Sequence, residues 1–201
     1  YKRQVLVYTF SGFFYGREPV ALNFPLQDGW FYVAQGGGNF ILNRHAPSEA
    51  QRYALDIVEI NHAGIRADGL YPADLDRYVI FGKTLFSPCS GDVVEALDGL
   101  EDNIPPATNR EQLAGNHVVI RCRDVNVLLA HMRNGSVVVE AGDAVAAGQP
   151  LGAVGNSGNT TEPHLHIHAV RGDAEDILAG EGVPMRFEGV FPVRNTVFFR
   201  R

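Results

Sequence analysis

The sequence predicts an all-β fold, mainly antiparallel sheet with long loops and few short helices. Two observations carry this. The 22 glycines and 11 prolines cut the chain into many short runs rich in β-branched and aromatic residues, which is strand and turn chemistry. Helical periodicity is almost absent over the 201 residues, whereas an amphipathic helix would repeat its apolar positions every three to four residues.

Taken in order, the predicted strands are Val5 to Phe10, Trp30 to Val33, Tyr53 to Glu59, Asp92 to Ala96, His117 to Cys122, Val125 to His131, Ser136 to Glu140, Leu151 to Val154 and Leu165 to Val170. Each is a short β-branched or aromatic run bounded by Gly, Pro, Asn or Asp, residues that suit turns. Short helices are expected only at Gly172 to Leu178 and near Arg110 to Leu113. Two stretches read as long loops: Asn61 to Asp76, which has no alternating pattern, and Asp98 to Gly115, with Pro105-Pro106 at its centre. Loops of this length are often walls of a binding groove. The expected division is residues 1–44 as an N-terminal β extension or part of the main sheet, 45–170 as the core, and 171–201 as a C-terminal extension packing on it.

Composition narrows the function classes. A net charge of −6 and a pI of about 5.6 argue against binding nucleic acid through its phosphates, which needs a basic surface. No apolar run approaches the roughly 20 residues that span a bilayer. The chain opens Tyr1-Lys2-Arg3-Gln4 rather than with Met, which is compatible with removal of an export signal. Cys89 and Cys122 are too few for a disulfide scaffold; they are either free buried thiols or one bridge in an oxidising compartment.

The most informative run is Pro163-His164-Leu165-His166-Ile167-His168, preceded by the glycine-rich Gly152 to Asn159. Alternate side chains of a strand share a face, so these three imidazoles point the same way, about 6.6 Å apart from one to the next at the usual rise. Histidine is the commonest metal ligand and the side chain that titrates nearest neutrality. A His-x-His alone is a weak signal, more often a half-exposed strand surface than a metal site, and its context decides. Asp56, between Leu55 and Ile57 in an apolar strand, needs a partner, because an unpaired buried carboxylate is costly.

That context is the stretch from Gly115 to Val170, with Ala130-His131-Met132, then Gly142-Asp143-Ala144-Val145 and Gly148-Gln149-Pro150-Leu151-Gly152, then Gly155-Asn156-Ser157-Gly158-Asn159 leading into His164-Leu165-His166. It closely resembles the M23 zinc metallopeptidases, the lysostaphin and LytM type of endopeptidase, over roughly 51–60 and 79–170. The resemblance implies a LytM-like β core and a Zn2+ cofactor. It implies His166 and Asp56 as metal ligands, and His131 and His164 as catalytic imidazoles beside the metal. In the common form of the family a histidine precedes the aspartate by four residues; here that position is Arg52, which has no lone pair to offer. His45 is the nearest candidate for the missing ligand, with His62 the alternative. His168 reads as a groove-wall or surface residue, and His62 and His117 otherwise as ordinary polar residues.

A catalytic zinc takes three N or O ligands and keeps a fourth position open, and two further imidazoles can move protons and stabilise an oxyanion. His45, Asp56, His131, His164 and His166 supply those types. The implied activity is hydrolysis of peptide bonds in peptidoglycan stems or cross-bridges, outside the cytoplasm, by a secreted, periplasmic or envelope protein. A rival reading is a degenerate, metal-binding regulator or wall-binding module. A biotinyl- or lipoyl-type carrier is a weaker rival, since its turn residues are present without a Met-Lys modification site.

Overall fold

A computed structural model describes residues 17–172 and 177–201. The predicted strand at Val5 to Phe10 and most of the helix expected at Gly172 to Leu178 lie outside them. Among the described residues thirteen strands are formed: β1 (Val20–Leu22), β2 (Gly29–Gln35), β3 (Leu55–Ile60), β4 (Thr84–Phe86), β5 (Gly91–Leu97), β6 (Asn116–Cys122), β7 (Val125–Met132), β8 (Ala144–Val145), β9 (Pro150–Ala153), β10 (Leu165–Arg171), β11 (Glu181–Val183), β12 (Met185–Phe187) and β13 (Val197–Arg200). The protein is all-β, as predicted. Its described helical content is one turn of 3-10 helix at Leu75–Arg77, capped by the Asp74 side chain.

Two expectations fail. Arg110 to Leu113 is a bend leading into a turn, not a helix. Ser136 to Glu140 is not a strand: Val138 N–H reaches the Leu151 carbonyl, but Val137 N–H is taken by the Asp98 carboxylate, so no ladder develops.

Nine strands join one antiparallel sheet in the order β13-β2-β3-β10-β7-β6-β5-β8, with β11 pairing the far half of β10. Smaller two-stranded units, β1 with β12 and β4 with β9, complete the architecture. The period-2 rule divides β10 cleanly. Leu165, Ile167 and Ala169 face the main core with Leu55, Ile57, Val127 and Leu129. The opposite face carries His166 and His168, among a smaller apolar cluster that includes Val119, Leu128, Ala130 and Val170. Below the main face, Phe24, Phe31, Phe187 and Phe198 pack ring on ring at 4.5–6.2 Å between centroids, within the range where aromatic pairs gain beyond area burial. Cys89 and Cys122 are joined in a disulfide with Cα atoms 5.9 Å apart.

Candidate metal centre and cleft

The sheet register places the site. His166 stands directly opposite Asp56 on one side and Ala130 on the other, so ligand-type side chains from β3 and β10 meet in one cross-strand row. Asp56 Oδ1 lies 2.9 Å from His166 Nδ1, and its two oxygens lie 3.1 and 3.0 Å from His45 Nε2. His45 comes from the loop before β3. That loop is tied down by buried Asn43, whose amide donates to the carbonyls of Gly37, Arg52 and Ala54 while its oxygen accepts the His45 N–H. The structure thus brings His45, Asp56 and His166 together with donor atoms within 4.8 Å of one another. His62 is exposed and belongs to no such cluster among the described residues. Arg52 points its guanidinium to Glu49 at 2.7 Å, while the exposed Arg44 reaches Asp56 Oδ2 at 3.1 Å.

His131 enters the site through strained backbone. Its φ of 63° lies in the left-handed region that few non-glycine residues occupy, a conformation that clusters at functional positions. A register shift between Asn116 and Val118 on the partner strand marks the irregularity that turns the side chain into the cleft. The glycine-rich run then fixes the ring. His131 Nδ1 donates to the carbonyl of buried Ser157 at 2.9 Å, leaving Nε2 as the free acceptor. Ser157 is held in place by Gly115, which has φ of 63° and where a Cβ would come within 2.3 Å of the Ser157 oxygen. Only glycine permits that approach.

His164 precedes β10. Its Nδ1 donates to the Glu162 carbonyl at 2.9 Å and lies 3.1 Å from Thr160 Oγ1. Its Nε2 is buried without a hydrogen-bond partner, 3.5 Å from Asp56 Oδ1. The His131 and His164 ring centroids are 4.9 Å apart. His131, His164 and His166 form a second cluster whose ligand atoms also lie within 4.8 Å of one another.

His168, expected on the groove wall or surface, lines the cleft but is only 1% exposed. Its Nδ1 lies 2.9 Å from His166 Nε2 and its Nε2 lies 3.1 Å from the Ile177 carbonyl. The spacing on β10 could have paired it with His166; its cover, Ile177, lies in the segment read as a short helix, whose packing against β10 no sequence pattern indicates. His117 is buried by a bond from Nδ1 to the Gly115 carbonyl and lies outside both clusters.

Electrostatics separate these groups. Burial opposes the charge on Asp56, but His164, His166 and His45 outweigh it and hold the carboxyl well below its usual range. Burial, reinforced by His164 and His166, pushes His131 well below the ordinary imidazole value. Burial acts the same way on His164, yet the Asp56 carboxylate overrides it and raises that imidazole. His166 is lowered by burial despite its bonds to Asp56, and His168 falls to about 3, by burial and then by His166.

The site opens on a cleft of about 450 Å3, with Arg44, Thr108, Arg110, Leu113, Asn159 and Leu178 among its walls. Part of the Asp98 to Gly115 loop forms one wall, as its length suggested; Asn61 to Asp76 contributes nothing to the lining.

An all-β scaffold presenting two overlapping His and Asp clusters in an open cleft fits a metal-dependent hydrolytic centre. Residues 79–177 match the model of Peptidase family M23, and by that match this segment belongs to the M23 peptidases, as its motifs imply. A stretch of 69 residues is 32% identical to the peptidoglycan DD-endopeptidase ShyA of Vibrio cholerae serotype O1 and covers 34% of this chain. It spans only 16% of that relative's length. Among solved structures, the SpoIIQ–SpoIIIAH pore-forming complex aligns with a TM-score of 0.47 at 15% identity, over 77% of this chain and 85% of the other. Lysostaphin from Staphylococcus simulans aligns at 0.36 and 23% identity, over 57% and 45%.

Proposed function

We propose that the protein is a zinc-dependent endopeptidase that cleaves peptide bonds of bacterial peptidoglycan outside the cytoplasm. The observation that carries this is the division of labour in the cleft: one His/Asp/His set for a metal, and beside it two imidazoles whose Nδ1 atoms are both held by backbone carbonyls. The donor set suits zinc, which accepts imidazole nitrogen and carboxylate oxygen in a three-ligand catalytic site. The crowding of three imidazole nitrogens on one buried carboxylate fits a centre completed by a cation. We assign the metal to His45, Asp56 and His166. When bound, zinc polarises a carbonyl and makes water more acidic.

The remaining steps belong to the chain. His131, kept neutral with Nε2 unoccupied, accepts a proton at that nitrogen. His164, whose Nδ1 is held by the Glu162 carbonyl, turns Nε2 to the cleft, where it can donate to developing negative charge on the substrate carbonyl. The carbonyls of Ser157 and Glu162 orient the two rings so that both Nε2 atoms are available for this work. The ShyA relationship supports peptidoglycan as substrate, and the Cys89–Cys122 disulfide supports an oxidising compartment.

The overlapping His131, His164 and His166 cluster favours a second reading. A metal held there would consume both acid/base imidazoles and leave a metal-binding, non-hydrolytic module. Digestion of defined muropeptides by the zinc-loaded protein, with release of new amino termini, tests the proposal. A protein that binds zinc stoichiometrically and releases none supports the second reading.

A further inference from the structure

We infer that His168 is a positioning residue: through a buried His166–His168–Ile177 relay it fixes the proton of His166 on Nε2 and reserves Nδ1 for a cation. A backbone carbonyl only accepts, so the 3.1 Å contact to Ile177 places a proton on His168 Nε2. Full burial of His168 disfavours a second proton on that ring. His168 Nδ1 is therefore an acceptor, and the 2.9 Å contact from His166 requires the proton on His166 Nε2.

The consequence falls on the other side of the His166 ring. Nδ1 then presents a lone pair to the Asp56 carboxylate 2.9 Å away. Two acceptors at that separation repel unless a cation lies between them, either a metal ion or, in its absence, a further proton. His168 thus converts an imidazole that could have donated to Asp56 into one built to share a cation with it. Outer partners of this kind fix the tautomer and raise the basicity of a ligating histidine. Nothing in the motif that implicates His164 and His166 assigns this role to the next histidine. The inference takes His166 as a ligand from the proposed function, but the proton position can be read without any metal.

Two measurements decide it. In metal-free protein with 15N-labelled histidine, long-range proton–nitrogen correlation should show His166 Nε2 protonated and His168 Nδ1 unprotonated at neutral pH. The zinc dissociation constant, measured by chelator competition, should weaken by about 10- to 100-fold in His168→Leu. It should stay near wild type in His168→Gln, whose amide can accept from His166 and donate to Ile177. An unprotonated His166 Nε2 in the wild type overturns the relay, as does unchanged zinc affinity in folded His168→Leu. If His168→Leu does not fold, the wild-type spectrum decides alone. A wild type that binds no zinc defeats the proposed function, while the proton assignment is still settled by the spectrum.

Discussion

Asp56 and His166, 110 positions apart, face each other across the β3–β10 ladder with Oδ1 and Nδ1 2.9 Å apart. The pairing register alone sets that meeting. A slip of one residue would turn His166 to the opposite face and bring Leu165 or Ile167 to the site. The metal assignment is consequently testable by removing single members.

Zinc retention should be lost in Asp56→Ala and His45→Ala and kept in His62→Ala, measured by metal analysis after gel filtration. His45 touches both carboxylate oxygens, whereas His62 is exposed in its turn. Loss in His62→Ala with retention in His45→Ala would contradict the assignment. Retention in His45→Ala with loss in His131→Ala would move the ion to the second cluster.

His131→Ala and His164→Ala should each retain zinc while slowing muropeptide hydrolysis by about 10² or more, the scale of a positioned acid or base. Steady-state rates on a substrate cleaved by the wild type check this. Near-normal turnover in either variant would remove that imidazole from the mechanism.

The metal-free protein should lose stability on acidification. His168, with a native value of about 3, stays neutral when folded and gains a proton near pH 6.5 when unfolded. Its folded value is depressed, so its contribution is complete above about pH 6.5 and is lost as pH falls toward 3, at up to about 1.4 kcal/mol per pH unit per proton. Urea denaturation between these limits should show a shallower pH slope in His168→Gln. An identical slope would mean that His168 titrates normally in the fold.

Replacing Cys89 and Cys122 together by serine should lower stability by about 2–4 kcal/mol, the usual range for a native disulfide. The bridge closes a loop with a sequence separation of 33 and ties the β4–β5 turn to β6. Urea midpoints of oxidised wild type and the double variant measure the difference; equal midpoints would show that the bridge adds nothing to stability.

Much of the site was legible because strands write their faces into sequence. His164, His166 and Asp56 could be placed from alternation and motif, and β3, β5, β6, β7 and β10 follow their apolar runs closely. His45 was a choice between loops, and what sets its loop beside Asp56 is Asn43, whose three carbonyl partners are scattered along the chain. His168 does line the cleft, as its spacing from His164 suggested, but how far a strand face is open depends on what folds over it, and the Ile177 carbonyl closes on its Nε2. The β1, β12 and β13 strands escaped detection because they are only three or four residues long and owe their pairing to distant partners.

The sheet ends in short strands on both sides: two-residue β8 pairs only Gly91 and Asp92 of β5, while four-residue β13 covers Gly29 to Tyr32 of β2. Beneath β13 lies β2, seven residues reading Gly-Trp-Phe-Tyr-Val-Ala-Gln, an uncharged, aromatic, proline-free run of the kind that seeds cross-β stacking when bare. Trp30 and Phe199 stack across this joint at 4.5 Å between centroids. β13 therefore acts as a cover for an adhesive segment. Proteolytic trimming near Asn195 would be felt first as self-association, while every imidazole of the cleft remained on the chain.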